Sequence, residues 1–371
     1  MSDVLDRTTI ERSAPARSRL RVIDCDIHPG LHSTRELFPF MSQRWQDHLK
    51  NYAVHFRTPY TSTTPYPRSA PLLSRRDAWP PSGRVPGSDL EFMRLQHLDE
   101  LDISYGILQV LDMLVPSLQN LDFSAAMASA LNDWQSQVWS DREPRLKASI
   151  LVPQEDPPAA IREIEKRAAD RRFAQVNLQP RVNEPIGRRR YWPIYEAIQA
   201  TGLPIGIHVG GYGGHAPTAS GHPSYYNEEH HSNAHSMASA MTSLIIEGVL
   251  EQFPKLRFVF IEGGFAWVPS AAWRMDNQLK KFRDEVPHLK RLPSEQVREH
   301  FWFTTQPVEE PERVKDMRKL IDWIGWDRLL FSSDYPHWDF DDPRTAFKLP
   351  LSDTERRAIL HDNAARLYGL D

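Results

Sequence analysis

The chain has 371 residues, 40% of them hydrophobic and 25% charged, proportions of a globular protein and not of a disordered one. Its 45 Lys+Arg against 49 Asp+Glu leave a formal net charge of −4, which gives no footprint for nucleic acid or an anionic membrane surface. One cysteine, Cys25, excludes an intrachain disulfide and fits a reducing compartment, and no apolar run approaches the roughly 18–20 residues that span a bilayer.

Residues 1–20 are charged, without hydrophobic periodicity and without the apolar core of a secretory signal. They read as a mobile arm on a soluble, cytoplasmic protein. RVIDCDIHPG follows as a short strand that stops at Pro29-Gly30. From there to about residue 95 regular structure is not expected. Pro59, Pro65, Pro67, Pro71, Pro80, Pro81 and Pro86 mark a long insertion, a lid over about 40–95.

Beyond Asp89 the pattern is regular. Apolar strands are predicted at 104–110, 146–152, 173–180, 203–211, 256–264, 301–307 and 327–336, each followed by a helical stretch. Gly202 supplies a helix stop before the fifth strand, and the helix after it is read from Ser236. Eight strands alternating with helices predict parallel βαβ units and a (β/α)8 TIM-like barrel over 21–371 as one domain. An open doubly wound sheet competes, but no GxGxxG follows the first strand.

In such a barrel the site lies at the C-terminal ends of the strands. Strand one ends in Asp24-Cys25-Asp26-Ile27-His28, where alternation places 24, 26 and 28 on one face and Cys25 on the other as a buried filler. Strand five ends in His208, strand six in Glu262, strand seven in Gln306, and strand eight in Asp334 with His337 three residues on. A lone D-x-H carries little information. Two imidazoles and two carboxylates converging on one point are another matter, because buried carboxylates repel unless a cation compensates, and this donor set suits Zn²⁺ or Mn²⁺. Arg75 and Arg76 in the insertion and Arg181 beyond strand four are candidate guanidinium clamps for an acidic substrate group, with a surface ion pair as the bland alternative. His230, His231 and His235 read as a solvated loop that caps the next helix. Trp79 and Trp338 are candidates for lining an apolar pocket.

VIDCDIH, PIGIHVGG, FPKLRFVFIEGG and LLFSSDYPHWD, in this order and spacing, resemble the amidohydrolase superfamily, in particular the branch that includes aminocarboxymuconate semialdehyde decarboxylase and γ-resorcylate decarboxylase. The resemblance runs from about Arg21 to Tyr368. It implies a distorted barrel, a homodimer, and one metal ion held by Asp26, His28, His208 and Asp334, with Asp334 also handling the proton and Asp24 not a ligand. Binuclear members bridge two ions with a carboxylated lysine on strand four, and FAQVNLQP has no lysine. The branch's decarboxylases carry a histidine where this chain has Glu262. A glutamate there repels a substrate carboxylate and offers a second base for water. The expectation is therefore a mononuclear metal-dependent hydrolase acting on a small organic acid, ketone, ester or amide, with Asp334 and Glu262 as bases. The alternatives are a non-oxidative decarboxylase of an aromatic or dienoic acid, using the same ligands, and a metal-stabilised barrel that binds without turnover.

Overall fold

The computed structural model describes residues 20–52, 69–111, 115, 118–211, 216 and 218–371. The arm expected over 1–20 and the central part of the proline-rich insertion lie almost entirely outside these residues. Eight parallel strands run in the order of the chain: β1 (Val22–Ile27), β2 (Ile103–Leu108), β3 (Leu146–Leu151), β4 (Phe173–Leu178), β5 (Ile205–His208), β6 (Phe258–Ile261), β7 (Phe301–Thr304) and β8 (Leu329–Leu330). Between and after them lie α1 (Gln43–Tyr52), α2 (Leu90–Met93), α3 (Leu121–Trp134), α4 (Pro157–Arg167), α5 (Trp192–Thr201), α6 (Tyr226–Ile246), α7 (Val249–Gln252), α8 (Val268–Lys281), α9 (Pro293–His300), α10 (Val314–Ile324), α11 (Asp353–Arg357) and α12 (Asn363–Tyr368).

The last strand is only two residues long, so its partnership with the first is carried by the chain that follows it. Cys25 N–H donates to Phe331 O at 2.9 Å and His28 N–H to Tyr335 O at 2.8 Å, which closes the sheet into a TIM-like barrel. One large core packs the strands against the helices. A smaller one gathers Ile23, Cys25, Ala174, Val259 and Leu330 with Leu367 of α12. These residues come from strands on different sides of the sheet, β1 and β8 together with β4 and β6, so they meet inside the barrel. Cys25 is a buried free thiol.

Three readings are corrected. The predicted strands run too far at their C-terminal ends: apolar and glycine-rich sequence continues, but the backbone turns at left-handed residues, among them Gly210, Gly211, Glu262, Gly264 and Asp334. The stretch expected to lack regular structure contains α1, a short helix that buries Trp45. The helix after β5 begins at Tyr226, not near Ser236, because the Glu228 carboxylate accepts from the N–H groups of Ser224 and Tyr225 and caps its first turn. His230, His231 and His235 therefore ride on a helix.

Alternation also fails on β1. Its register against β2 shifts between Val22 and Ile23 and again between Asp24 and Ile27. Such irregularities re-aim side chains. Asp24 and Asp26, expected on one face, end in different surroundings.

Candidate metal centre at the barrel mouth

Four strand ends deliver the expected side chains to one place. His28 Nε2 lies 3.2 Å from Asp26 Oδ1 and 2.8 Å from Asp334 Oδ1. His208 Nε2 lies 3.6 Å from Asp26 Oδ1 and 3.1 Å from Glu262 Oε2. His337 Nδ1 is 2.5 Å from Asp334 Oδ1, and its ring stacks on that of His28 at 4.4 Å. Two overlapping groups result, Asp26–His28–His208–Glu262 and His28–Glu262–Asp334–His337, each with donor atoms within 4.8 Å of one another.

The atoms facing inward are unsatisfied. Both oxygens of Asp26, and Nε2 of His28 and of His208, are buried without a hydrogen-bond partner. The outer nitrogen of each imidazole is fixed instead: His28 Nδ1 donates to Gln109 O at 2.9 Å and His208 Nδ1 to Val209 O at 2.8 Å. A carbonyl can only accept, so Nδ1 carries the hydrogen and the Nε2 lone pair can turn inward. Buried orphan acceptors from carboxylate and imidazole, oriented from behind, fit one divalent cation.

Electrostatics agree. Burial pushes Asp26 up to about 7 against the opposing pull of His208, and burial together with Glu262 holds Asp334 well above the usual carboxylate range. Burial holds His28 below its ordinary value, with the positive fields of His337 and His208 in the same direction. For His208 burial works against the cation, but Asp26 and Glu262 outweigh it and push it up to about 10. With no cation among them, these groups neutralise one another by holding protons. A bound dication would take the place of those protons.

Backbone conformation sets this geometry. Asp334 and Glu262 adopt φ of 61° and 60°, uncommon for residues with a Cβ and tolerated where surroundings over-determine them. After Glu262 the chain passes Gly264, where a Cβ would come within 2.5 Å of the Glu309 carboxylate that accepts from the N–H groups of Phe265 and Ala266. Glu262 N–H donates to Thr304 Oγ1 at 3.0 Å, tying the β6 end to β7.

Of the other expected residues, Gln306 joins the cluster, with Nε2 3.4 Å from Asp334 Oδ2 and 3.2 Å from Asp339 O. Arg75 forks onto Asp77 at 2.8 and 2.6 Å and stacks on Phe340, so its guanidinium is already occupied by the acid two residues along. Arg76 is exposed. Arg181 stands beyond β4, its positive field reaching Glu229 on α6. Three pairings at the mouth were not expected from the sequence. His230 pairs with Asp339 at 3.2 Å, Trp338 Nε1 donates to Tyr226 Oη at 3.0 Å, and Asn177 Nδ2 donates to Gln109 Oε1 at 2.6 Å. The early start of α6 is the signal that would have placed Tyr226 and His230 there.

Comparison with known proteins leads the same way. The chain is 26% identical over 305 residues to a γ-resorcylate decarboxylase of Polaromonas sp. strain JS666, covering 76% of this chain and 88% of that one. Its fold is similar to the crystal structure of an amidohydrolase from Mycobacterium avium subsp. paratuberculosis (TM-score 0.72, 22% identity, 94% and 99% of the two chains). It is also similar to a dihydroxybenzoic acid decarboxylase of Polaromonas sp. JS666 with bound manganese and 2-nitroresorcinol (TM-score 0.65, 20% identity, 94% and 97%). The expected hydrolase is supported only at the breadth of the family name. With a family profile, amidohydrolase, that matches residues 23–370, the chain belongs to the amidohydrolase family.

Proposed function

We propose that this protein is a metal-dependent carboxy-lyase that removes carbon dioxide, without oxidation, from a small aromatic acid. The observation that carries the reading is a set of buried carboxylate and imidazole atoms that face inward without partners, with the fully buried carboxyl of Asp334 beside them. Asp26, His28, His208 and Asp334 would hold a single Zn²⁺ or Mn²⁺, which supplies a Lewis-acid point for the anionic oxygens of the substrate.

The rest follows from the chain's own groups. Oδ1 of Asp334 faces His28 and His337, and Oδ2, towards Gln306, is the oxygen left to carry the proton. That proton passes to the ring carbon bearing the carboxylate. The carbon–carboxylate bond then breaks, its electron pair restores the ring, carbon dioxide leaves, and Asp334 regains a proton from solvent. Burial suits this role, because it raises the carboxyl of Asp334 and so favours its acid form. His337 and Gln306 orient Asp334 and the substrate, and Arg181, beyond β4, is a candidate to meet a second acidic group. Assembly as a homodimer belongs to the same reading.

The hydrolytic reading keeps one observation in its favour, the second carboxylate Glu262 at 3.1 Å from His208. Incubating the manganese-loaded enzyme with a panel of hydroxybenzoates and measuring carbon dioxide tests the proposal. Release of carbon dioxide with the matching phenol supports it. Turnover of esters or amides with no carbon dioxide from any acid returns the assignment to hydrolysis.

A further inference from the structure

One buried acid takes no part in the cluster. Asp24 lies one turn of strand below Asp26 and is fully buried, yet it is richly satisfied. Its Oδ1 accepts from Ser333 N–H at 2.9 Å and from Asp26 N–H at 3.2 Å. Its Oδ2 accepts from Ser333 Oγ at 2.5 Å and from His97 Nε2 at 2.8 Å. Ser333 immediately precedes Asp334, and its Oγ also accepts from Tyr335 N–H at 3.1 Å. The carboxylate of Asp24 thus holds Ser333 directly and Tyr335 through the Ser333 hydroxyl, on either side of a residue held at φ 61°.

His97 completes the arrangement from the helix layer. It sits in the π-helical turn Arg94–Asp99 that follows α2, a rare geometry that shifts side chains out of the regular helical register. Its ring stacks on Tyr335 at 4.5 Å and 17°, and Tyr335 Oη donates to Gln96 Oε1 at 2.9 Å in the same turn. Two contacts, one polar and one aromatic, therefore bind this turn to the segment that carries Asp334. β8 has only two residues and cannot fix that segment through a ladder of its own.

We propose that Asp24 and His97 are positioning residues for Asp334: the pair locks the backbone at Ser333 and Tyr335, and so holds the Asp334 carboxyl in left-handed conformation at the metal and the substrate. The assignment rests on the role given to Asp334 above. Orienting partners behind metal ligands are worth roughly 10–100-fold in affinity or activity, and here the partner acts through the main chain.

The test compares Asp24→Asn, His97→Phe and His97→Gln with the parent, using Mn²⁺ titration calorimetry, deuterium uptake of the peptide spanning 330–338, and kcat and KM with any hydroxybenzoate found to turn over. His97→Phe removes the donor and keeps a ring. His97→Gln restores a donor and leaves the Asp24 charge in place. The expected result is faster uptake over 330–338 and Mn²⁺ binding weakened roughly 10–100-fold in Asp24→Asn and His97→Phe, most of it recovered in His97→Gln, with kcat falling more than KM changes. Should Asp24→Asn not fold, the two His97 variants decide alone. Folded variants with a lower Tm but unchanged Mn²⁺ affinity and unchanged uptake over 330–338 would reduce the pair to a packing feature and overturn the proposal. If no acid is decarboxylated at all, the calorimetry and exchange still judge the positioning role, separately from the reaction.

Discussion

Two clusters of buried acids in this barrel are resolved in opposite ways. Beneath β3, Glu143 is nearly buried, and its carboxylate takes the guanidinium of Arg145 at 2.9 and 2.8 Å and that of Arg94 at 2.8 Å. The hydrogen bond from Arg145 is the main reason its pKa falls to about 2. At the mouth, Asp26 and Asp334 are fully buried, no arginine or lysine among the described residues pairs with them, and both carboxyls shift upward. A chain that can place arginines around Glu143 could do so at the mouth. Leaving carboxylates and imidazole lone pairs unmatched there costs stability, and the vacancy of charge is what gives a dication its affinity.

The sharpest way to break this contrast is to remove a mouth group. Asp26→Asn and His28→Ala should each lose Mn²⁺ and at least about 100-fold in kcat, read by metal analysis and carbon dioxide release. Retention of stoichiometric metal by both would break the contrast at its root.

Metal removal should expose opposite pH trends in the two clusters. Asp26 is raised from 3.8 to about 7, so the folded metal-free protein binds more protons than the unfolded chain. The stability this gives is present below about 4 and lost as pH rises through 7. His208, raised from 6.5 to about 10, acts in the same direction between those values. Glu143, lowered from 4.5 to about 2, contributes stability above 4.5 that is lost as pH falls towards 2. His28 and His337, held below 6.5 chiefly by burial, act in the opposite direction up to that value, so after chelation Tm should decline from pH 6.5 to pH 8, and added Mn²⁺ should flatten the decline. A metal-free protein whose Tm is level over that range would contradict the shifts at the mouth.

Glu143→Gln sharpens the comparison from the other side. It leaves Arg145 and Arg94 short of a charged partner in a partly buried site, with an expected loss of about 1–3 kcal/mol by urea unfolding and no change in Mn²⁺ affinity. Smaller still, Glu262→Gln should alter kcat for decarboxylation by less than about tenfold, since the proposed proton donor is Asp334. General-base catalysis is worth about 100-fold or more, so a loss of that size would speak for Glu262 as a base and for hydrolysis.

Much of this site could be read in the unfolded chain, and particular residues show where reading stopped. Asp26, His28, His208, Glu262, Gln306, Asp334 and His337 all stand at strand ends, and the structure gathers them at one mouth. That much follows from a rule of the barrel: strands in chain order point their C-terminal ends the same way. Tyr226 escaped, and His230 was read as a solvated loop, because a polar stretch with weak helix propensity forms the first turns of α6, held by the Glu228 cap and by contacts with Trp338 and Asp339. For Arg75 the sequence left a substrate clamp and a surface ion pair open, and the turn to Asp77 forms the ion pair.

The amino-acid sequence alone determined the number and order of the strands, the parallel barrel, and the residue types available at its mouth, because periodicity and spacing are local properties. Only the tertiary structure decided where each strand stops, since that depends on which residues are forced into left-handed backbone by their neighbours. It also separated Asp24 from Asp26, two residues apart and alike in chemistry. The irregular register of β1 against β2 gives one a serine and a histidine to satisfy it and leaves the other unsatisfied. No rule of alternation contains that outcome, because it is set by residues 73 and 309 positions along the chain.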